Sequence, residues 1–140
     1  MPEKITLLDR AKADLMVVKM ILDDIDSCET MVDIAAYHTQ QTVEKCLKFM
    51  LNQAGRPHPR THDIYALAQQ LERYKFTVPE WVLQNADVLN EFDTRTRYGT
   101  RLVASRPKIE ALYELTDTLI KDLDNEPTKT SGEYAPSNYF

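Results

Sequence analysis

The chain has 140 residues, with 17 Lys and Arg against 22 Asp and Glu and a formal net charge of −5. That length suits one domain, whose core buries about two-thirds of the unfolded surface without a disulfide or metal staple. The acidic balance opposes non-specific adhesion to nucleic acid.

Two cysteines, Cys28 and Cys46, form neither a CxxC pair nor a metal spacing; a reducing compartment is expected. No N-terminal hydrophobic leader is read, and the longest apolar run, Leu15–Val18, is far too short to span a bilayer. A soluble, cytoplasmic protein with no membrane role is expected.

The first predicted helix runs from about Ile5 to about Ile25. Leu8, Ala11, Leu15, Val18, Leu22 and Ile25 recur at alternating spacings of three and four, which draws one apolar stripe. Asp23, Asp24 and Asp26 crowd its end, where the helix dipole disfavours anions, and belong in water. Thr30 reads as the N-cap of a second helix that continues to about Gln53, with Gly55 as its C-cap signal. At 100° per residue, Ala35, Ala36, Val43, Cys46, Leu47, Met50 and Leu51 share a core face. His38, Gln41, Lys45 and Lys48 form a polar stripe. Ile34 and Phe49 fall inside that stripe, which suggests contact with something else, a partner subunit being one candidate.

Residues 56–60, RPHPR, hold two prolines and are read as a loop. Thr61 is the expected cap of a third helix, with Asp63 in its first turn and Ile64, Leu67, Ala68 and Leu71 as its apolar face. Pro79 opens a fourth helix, striped by Val82, Ala86 and Leu89 and widened by Trp81, Val88 and Phe92. Ser105 and Pro107 start the last helix, with core positions Ile109, Leu112, Thr116, Leu119 and Leu123. Nothing reads as strand. The fold class is therefore all-α, an antiparallel up-and-down bundle of four to five helices over residues 1–124. Residues 125–140, NEPTKTSGEYAPSNYF, form a separate tail whose composition is that of disorder but whose Tyr134, Tyr139 and Phe140 could dock in a groove.

The sequence holds no P-loop, GxGxxG, HExxH or Cys/His metal pattern, and neither metal nor cofactor is expected. Its only histidines are His38, His58 and His62, which restricts acid–base chemistry near neutral pH. Cations are unevenly placed. Between Thr94 and Ile109 stand Arg95, Arg97, Arg101, Arg106 and Lys108 with no acid among them. RPHPRTH, residues 56–62, is a second basic stretch. An anion site should be built from these two.

Helix two reads AAYHTQQTVEKCLKFML; a Gly-Arg-Pro loop, RTHDIYAL and RTRYGTR follow. In that order, Gln40-Gln41, Glu44-Lys45, Leu47-Lys48, Thr61-His62-Asp63 and Arg97-Tyr98 resemble the HEPN domain (higher eukaryotes and prokaryotes nucleotide-binding), of a bacterial type. The resemblance covers about 120 residues. It implies a bundle of four or five helices, commonly a homodimer, and a link to nucleotides or RNA. It also implies a minimal nucleotidyltransferase as partner, in pairs resembling toxin–antitoxin modules. Many members of the family are metal-independent RNases that carry an Arg-x4-6-His motif at the start of a late helix. Here no histidine follows Arg95, Arg97 or Arg101 at any distance. The spacing of Arg56 and His62 matches the motif but lies in the proline-rich loop, and is read as coincidence.

The favoured reading is a non-catalytic module that binds nucleotide or RNA phosphate through Arg95, Arg97, Tyr98 and Arg101, with His38, Lys45 and His62 in support. Arg offers a fork of donors matched to phosphate oxygens, and Tyr offers a stacking face. Against this stands a structural role, with Arg97 paired to Glu44 or Asp63 to lock helix ends, His62 packed or hydrogen-bonded beside a cap, His38 at an interface or satisfied in the interior, and Lys45 and Lys48 solvated or paired. An alternative function is an RNase in which Arg97 stabilises charge and His62 or His38 moves a proton, which for His62 requires it to meet Arg97 in space. A protein–protein scaffold is the third reading.

Overall fold

The computed structural model describes residues 4–99 and 104–125. Arg101 and the tail from residue 126 lie outside them. The described residues form six helices and no strand: α1 Leu7–Asp23, α2 Glu29–Gln53, α3 Ile64–Arg73, α4 Glu80–Gln84, α5 Ala86–Arg97 and α6 Arg106–Asp124. They make the expected up-and-down bundle. α2 is its centre, packed by α1, α3, α5 and α6, and α6 also lies along α1.

Side-chain hydrogen bonds at the helix ends decide where each helix begins and stops. Thr6 and Asp9 form a capping box at the start of α1 (3.0 and 3.1 Å), which removes Ile5 from the helix. At the other end Asp24 is extended, and its carboxylate accepts from the Asp26 amide at 3.0 Å. Ile25, expected on the core stripe, is therefore 85 % exposed, and Ile21 takes a buried place beside Leu8, Ala11, Leu15 and Val18.

α2 starts after Cys28 rather than Thr30. At its end Gly55 adopts φ 76°, its amide donates to Asn52 O (3.0 Å), and the Arg56 amide donates to Leu51 O (2.9 Å). This is the Schellman arrangement, in which glycine supplies the left-handed residue. The cap of α3 is Asp63, not Thr61, because the Asp63 carboxylate reaches the amides of Tyr65 (3.0 Å) and Ala66 (3.3 Å). Thr61 instead accepts from the Asp63 amide at 3.1 Å.

The single helix expected after Pro79 is two, divided at Asn85. The Asn85 side chain donates to Trp81 O at 2.7 Å and accepts from Lys108 at 2.6 Å. Asn competes with helical backbone bonding in this way.

The core follows the expected faces. Ala35, Ala36, Val43, Cys46, Leu47 and Leu51 on α2 are fully buried, as are Ile64, Leu67, Ala68 and Leu71 on α3. Phe49 differs from its expectation: it is buried within the chain's own core, while Ile34 remains 40 % exposed. Burial pushes the Cys46 thiol up to about 12, so it is an inert core residue.

The start of α6 is held against α1 and α2. The Ala104 amide donates to Asp33 (2.9 Å), and Arg106 donates to Leu22 O (3.0 Å) and Asp24 O (2.9 Å). One cation of the basic stretch thus serves as a cap on the carbonyl end of α1.

Candidate functional site

Gln40, Glu44 and Lys48 stand at i, i+4 spacings on α2, which stacks them on one face. All three are buried. Gln40 Nε2 and Lys48 Nζ donate to opposite oxygens of Glu44, at 3.0 and 2.9 Å. The loop ahead of α3 brings His62 over this row. Its Nδ1 lies 3.0 Å from Glu44 Oε1, and its backbone carbonyl accepts from Gln40 at 3.2 Å. A second anchor fixes the loop: Asn90 on α5 accepts from the Ile64 amide and donates to Asp63, both at 2.8 Å.

From the far side, Arg97 in the last turn of α5 meets the same imidazole, with Nη2 2.9 Å from His62 Nε2. Its Nε–H is shared by both oxygens of Asp93, one turn back, at 2.9 Å each. Gln41 closes the circuit, donating to Gln40 (2.7 Å) and Asp93 (3.5 Å). The result is a ring of side chains from α2, the α3 loop and α5, centred on His62.

The bonding pattern assigns the tautomer. A guanidinium has donors and no acceptor, so His62 Nε2 must accept from Arg97. Nδ1 then carries the hydrogen and donates to Glu44. A carboxylate orienting an imidazole so that the opposite nitrogen offers a lone pair is the arrangement of a general base. Glu44 is buried, its side chain 5 % exposed, whereas His62 is 49 % and Arg97 42 % exposed. The carboxylate beneath is dry, and the imidazole and guanidinium face solvent. Asp93 raises the basicity of Arg97 by hydrogen bonding and charge, so it stays a cation, with further N–H donors that have no partner among the described residues. Beside the pair lies a depression of about 280 Å³ lined by His62, Asp63, Asn90, Asp93 and Thr94.

The other expected site residues are distributed differently. Tyr98, the C-cap of α5, is 80 % exposed next to Arg97. Arg95 is held by Glu91 at 2.6 Å. His38 and Lys45 belong to a separate cluster, where both bind Asp14 of α1, His38 Nδ1 at 2.8 Å and Lys45 through its ammonium. Arg97 pairs with Asp93, not with Glu44 or Asp63. Asp93 was not singled out in the sequence, although its i, i+4 spacing to Arg97 is a helical ion-pair signal. Among the described residues no group of His, Cys, Asp or Glu is placed to hold a metal ion, and no helix is long and apolar enough to cross a membrane.

Burial pushes the Glu44 carboxyl upward, but hydrogen bonds from Gln40, Lys48 and His62 and the Lys48 charge outweigh it and hold it below its ordinary value. Asp14 behaves likewise: burial raises it, and His38 and Lys45 bring it lower still. A carboxylate depressed by folding takes up its proton more readily in the unfolded chain. Its stabilising effect is therefore complete above the ordinary carboxylate range near pH 4, and is lost as pH falls through the lower folded values. The gap in urea midpoint between wild type and a Glu44→Gln, Asp14→Asn double variant should be wide at pH 7 and narrow by pH 3. An unchanged gap at pH 3 would contradict it.

No curated protein and no solved structure shows a match to the chain. A protein-family model described as HEPN domain matches residues 6–126, most of its length, and the chain belongs to the HEPN domain family.

Proposed function

We propose that this protein binds the phosphate of a nucleotide or of RNA at the Arg97–His62 pair, with Tyr98 beside it as a stacking face. The observation that carries this reading is the 2.9 Å contact between Arg97 Nη2 and His62 Nε2 at the surface. It joins the two basic stretches at one point and leaves guanidinium donors open to phosphate oxygens. Asp63 and Asp93 line the depression and keep the site from being a general polyanion surface; Asp93 is buried against Arg97, whereas the exposed Asp63 carboxylate suits the amino group of a base. The favoured ligand is thus a specific ribonucleotide unit. Arg95, held by Glu91, is an outer contributor to the field; Arg101 lies outside the described residues.

A second reading is favoured by the 3.0 Å contact between Glu44 Oε1 and His62 Nδ1. Once Arg97 turns its Nη2 donor from the imidazole to the phosphate, the Nε2 lone pair of His62 is released to take the proton of an RNA 2′-hydroxyl. The O2′–P bond would form and the O5′–P bond break. The 5′ oxygen would draw a proton from water, and Arg97 would stabilise the charge on phosphorus. This is the metal-independent RNase alternative, with the base in the α3 loop rather than in a late helix. In either reading the family supports a homodimer and a minimal nucleotidyltransferase partner in a toxin–antitoxin-like pair. Exposed Met31 and Ile34 on α2 are compatible with contact to a second chain.

Incubating end-labelled transfer RNA and messenger RNA with the purified protein, with and without EDTA, separates the two. Binding without cleavage, lost in Arg97→Ala, is the expected result. Cleavage that survives EDTA and disappears in both Arg97→Ala and His62→Ala would establish the second reading. Neither binding nor cleavage would leave a scaffold.

A further inference from the structure

Arg56 follows the Schellman end of α2. Its backbone is pinned by the hydrogen bond to Leu51 O at 2.9 Å, and its guanidinium lies over the Tyr74 ring, 4.3 Å from the centroid. The side chain is exposed and has no hydrogen-bond or ion-pair partner among the described residues. As glue between loop and α3, such a stack at an exposed site adds about 0.5–1 kcal/mol. That role occupies only one face of the guanidinium plane. The outer face is a flat cationic surface of the kind on which unpaired RNA bases stack.

The position of this surface relative to the Arg97–His62 pair follows from α2. The phosphate-binding pair sits at Glu44, whereas Arg56 is tied to Leu51, and His58 is tied to Asn52 through Nδ1 at 3.1 Å. Seven to eight helical residues separate the two levels, about 10–12 Å along α2. A stacked strand advances about 3.4 Å per nucleotide, so three to four nucleotides is the least that covers this axial distance. The loop between them carries Arg60, exposed and without a partner among the described residues.

Resting on the reading that Arg97 and His62 hold a phosphate, we propose that the Arg56–Tyr74 stack is a base-binding platform. It makes the site select single-stranded RNA of about four nucleotides or more over a mononucleotide. The phosphate at Arg97 sets the register, Arg60 neutralises an intervening phosphate, and Arg56 stacks on a base further along the strand.

Competition against a fluorescent hexamer, using 5′-AMP and oligoadenylates of increasing length, tests this. Affinity should climb by about tenfold or more up to roughly four nucleotides and then level. Arg56→Ala should bring the hexamer down towards 5′-AMP. Arg56→Lys should do the same, because it keeps the charge and loses the plane. An abasic residue walked through the hexamer should cost wild type as much at one position and cost Arg56→Ala nothing there, a comparison that does not depend on how stable the variant is. Equal affinity for 5′-AMP and hexamer, or a length gain that survives Arg56→Ala, would overturn the platform. Loss of all binding in Arg97→Ala together with an unaffected Arg56→Ala would sink the platform alone. Binding that ignores Arg97→Ala, or no binding of any ligand, would sink the phosphate reading and the platform with it.

Discussion

Glu44→Ala should destabilise the protein by about 3–5 kcal/mol, the range for removing one partner of a buried ion pair. The carboxylate accepts from Gln40, His62 and Lys48. Its removal leaves the Lys48 ammonium, only 11 % exposed, without its counter-ion, and takes one of two acceptors from the buried Gln40 amide. Much of the loss is the penalty on what remains. Removing the second charge in Glu44→Ala, Lys48→Met should therefore recover stability relative to the single variant, and the double-mutant cycle should show coupling between the sites. For a domain of this size the single variant should melt about 10–17 °C lower. A melting temperature within about 2 °C of wild type would mean that water already satisfies this cluster.

The second large effect concerns ligand binding. Arg97→Ala should weaken RNA about 10- to 100-fold, the range for losing charge-assisted hydrogen bonds to phosphate. It should also reduce the dependence of log affinity on log salt by about 0.7 for each single-strand phosphate that is no longer neutralised. Arg97→Lys should restore part of the salt slope and little of the affinity, because a point charge does not replace a planar fork that spans Asp93, His62 and a phosphate together. Arg97→Ala also leaves the buried Asp93 carboxylate without its counter-ion and should lower stability, so its binding is compared under conditions where a melt shows it folded, and with Arg97→Lys, which keeps a cation beside Asp93. A variant that binds RNA as wild type does would shift attention to Arg95 and the Asp14 cluster.

Helical periodicity made the bundle legible in the sequence. The stripes of α1, α3 and α6 and the core face of α2 could be read because apolar spacing of three and four is imposed locally. Helix ends were less legible. Thr61 and Asp63 are both good caps, and only geometry shows that the Asp63 carboxylate reaches Tyr65 and Ala66. Asn85 divides a helix through its own side chain, which no apolar pattern registers.

At the site, Arg97 stood out because cations gather there without acids. The junction itself was hidden. His62 is 18 residues from Glu44 and 35 from Arg97, and their meeting depends on how α5 and the α3 loop pack across α2. His38 and Lys45 share a stripe with Gln41 and Lys48, yet Asp14 draws them to the α1 side. A helical wheel gives a residue's angle, not the neighbour that occupies it.

The most direct measurement of the central claim is the nitrogen NMR spectrum of the His62 imidazole, recorded without ligand and with increasing single-stranded RNA. The account predicts a protonated Nδ1 and an unprotonated Nε2 in the free protein. It further predicts an Nε2 resonance that moves with RNA and no longer does so in Arg97→Ala. A free protein with its hydrogen on Nε2, or an Nε2 resonance unmoved by saturating RNA, would contradict it.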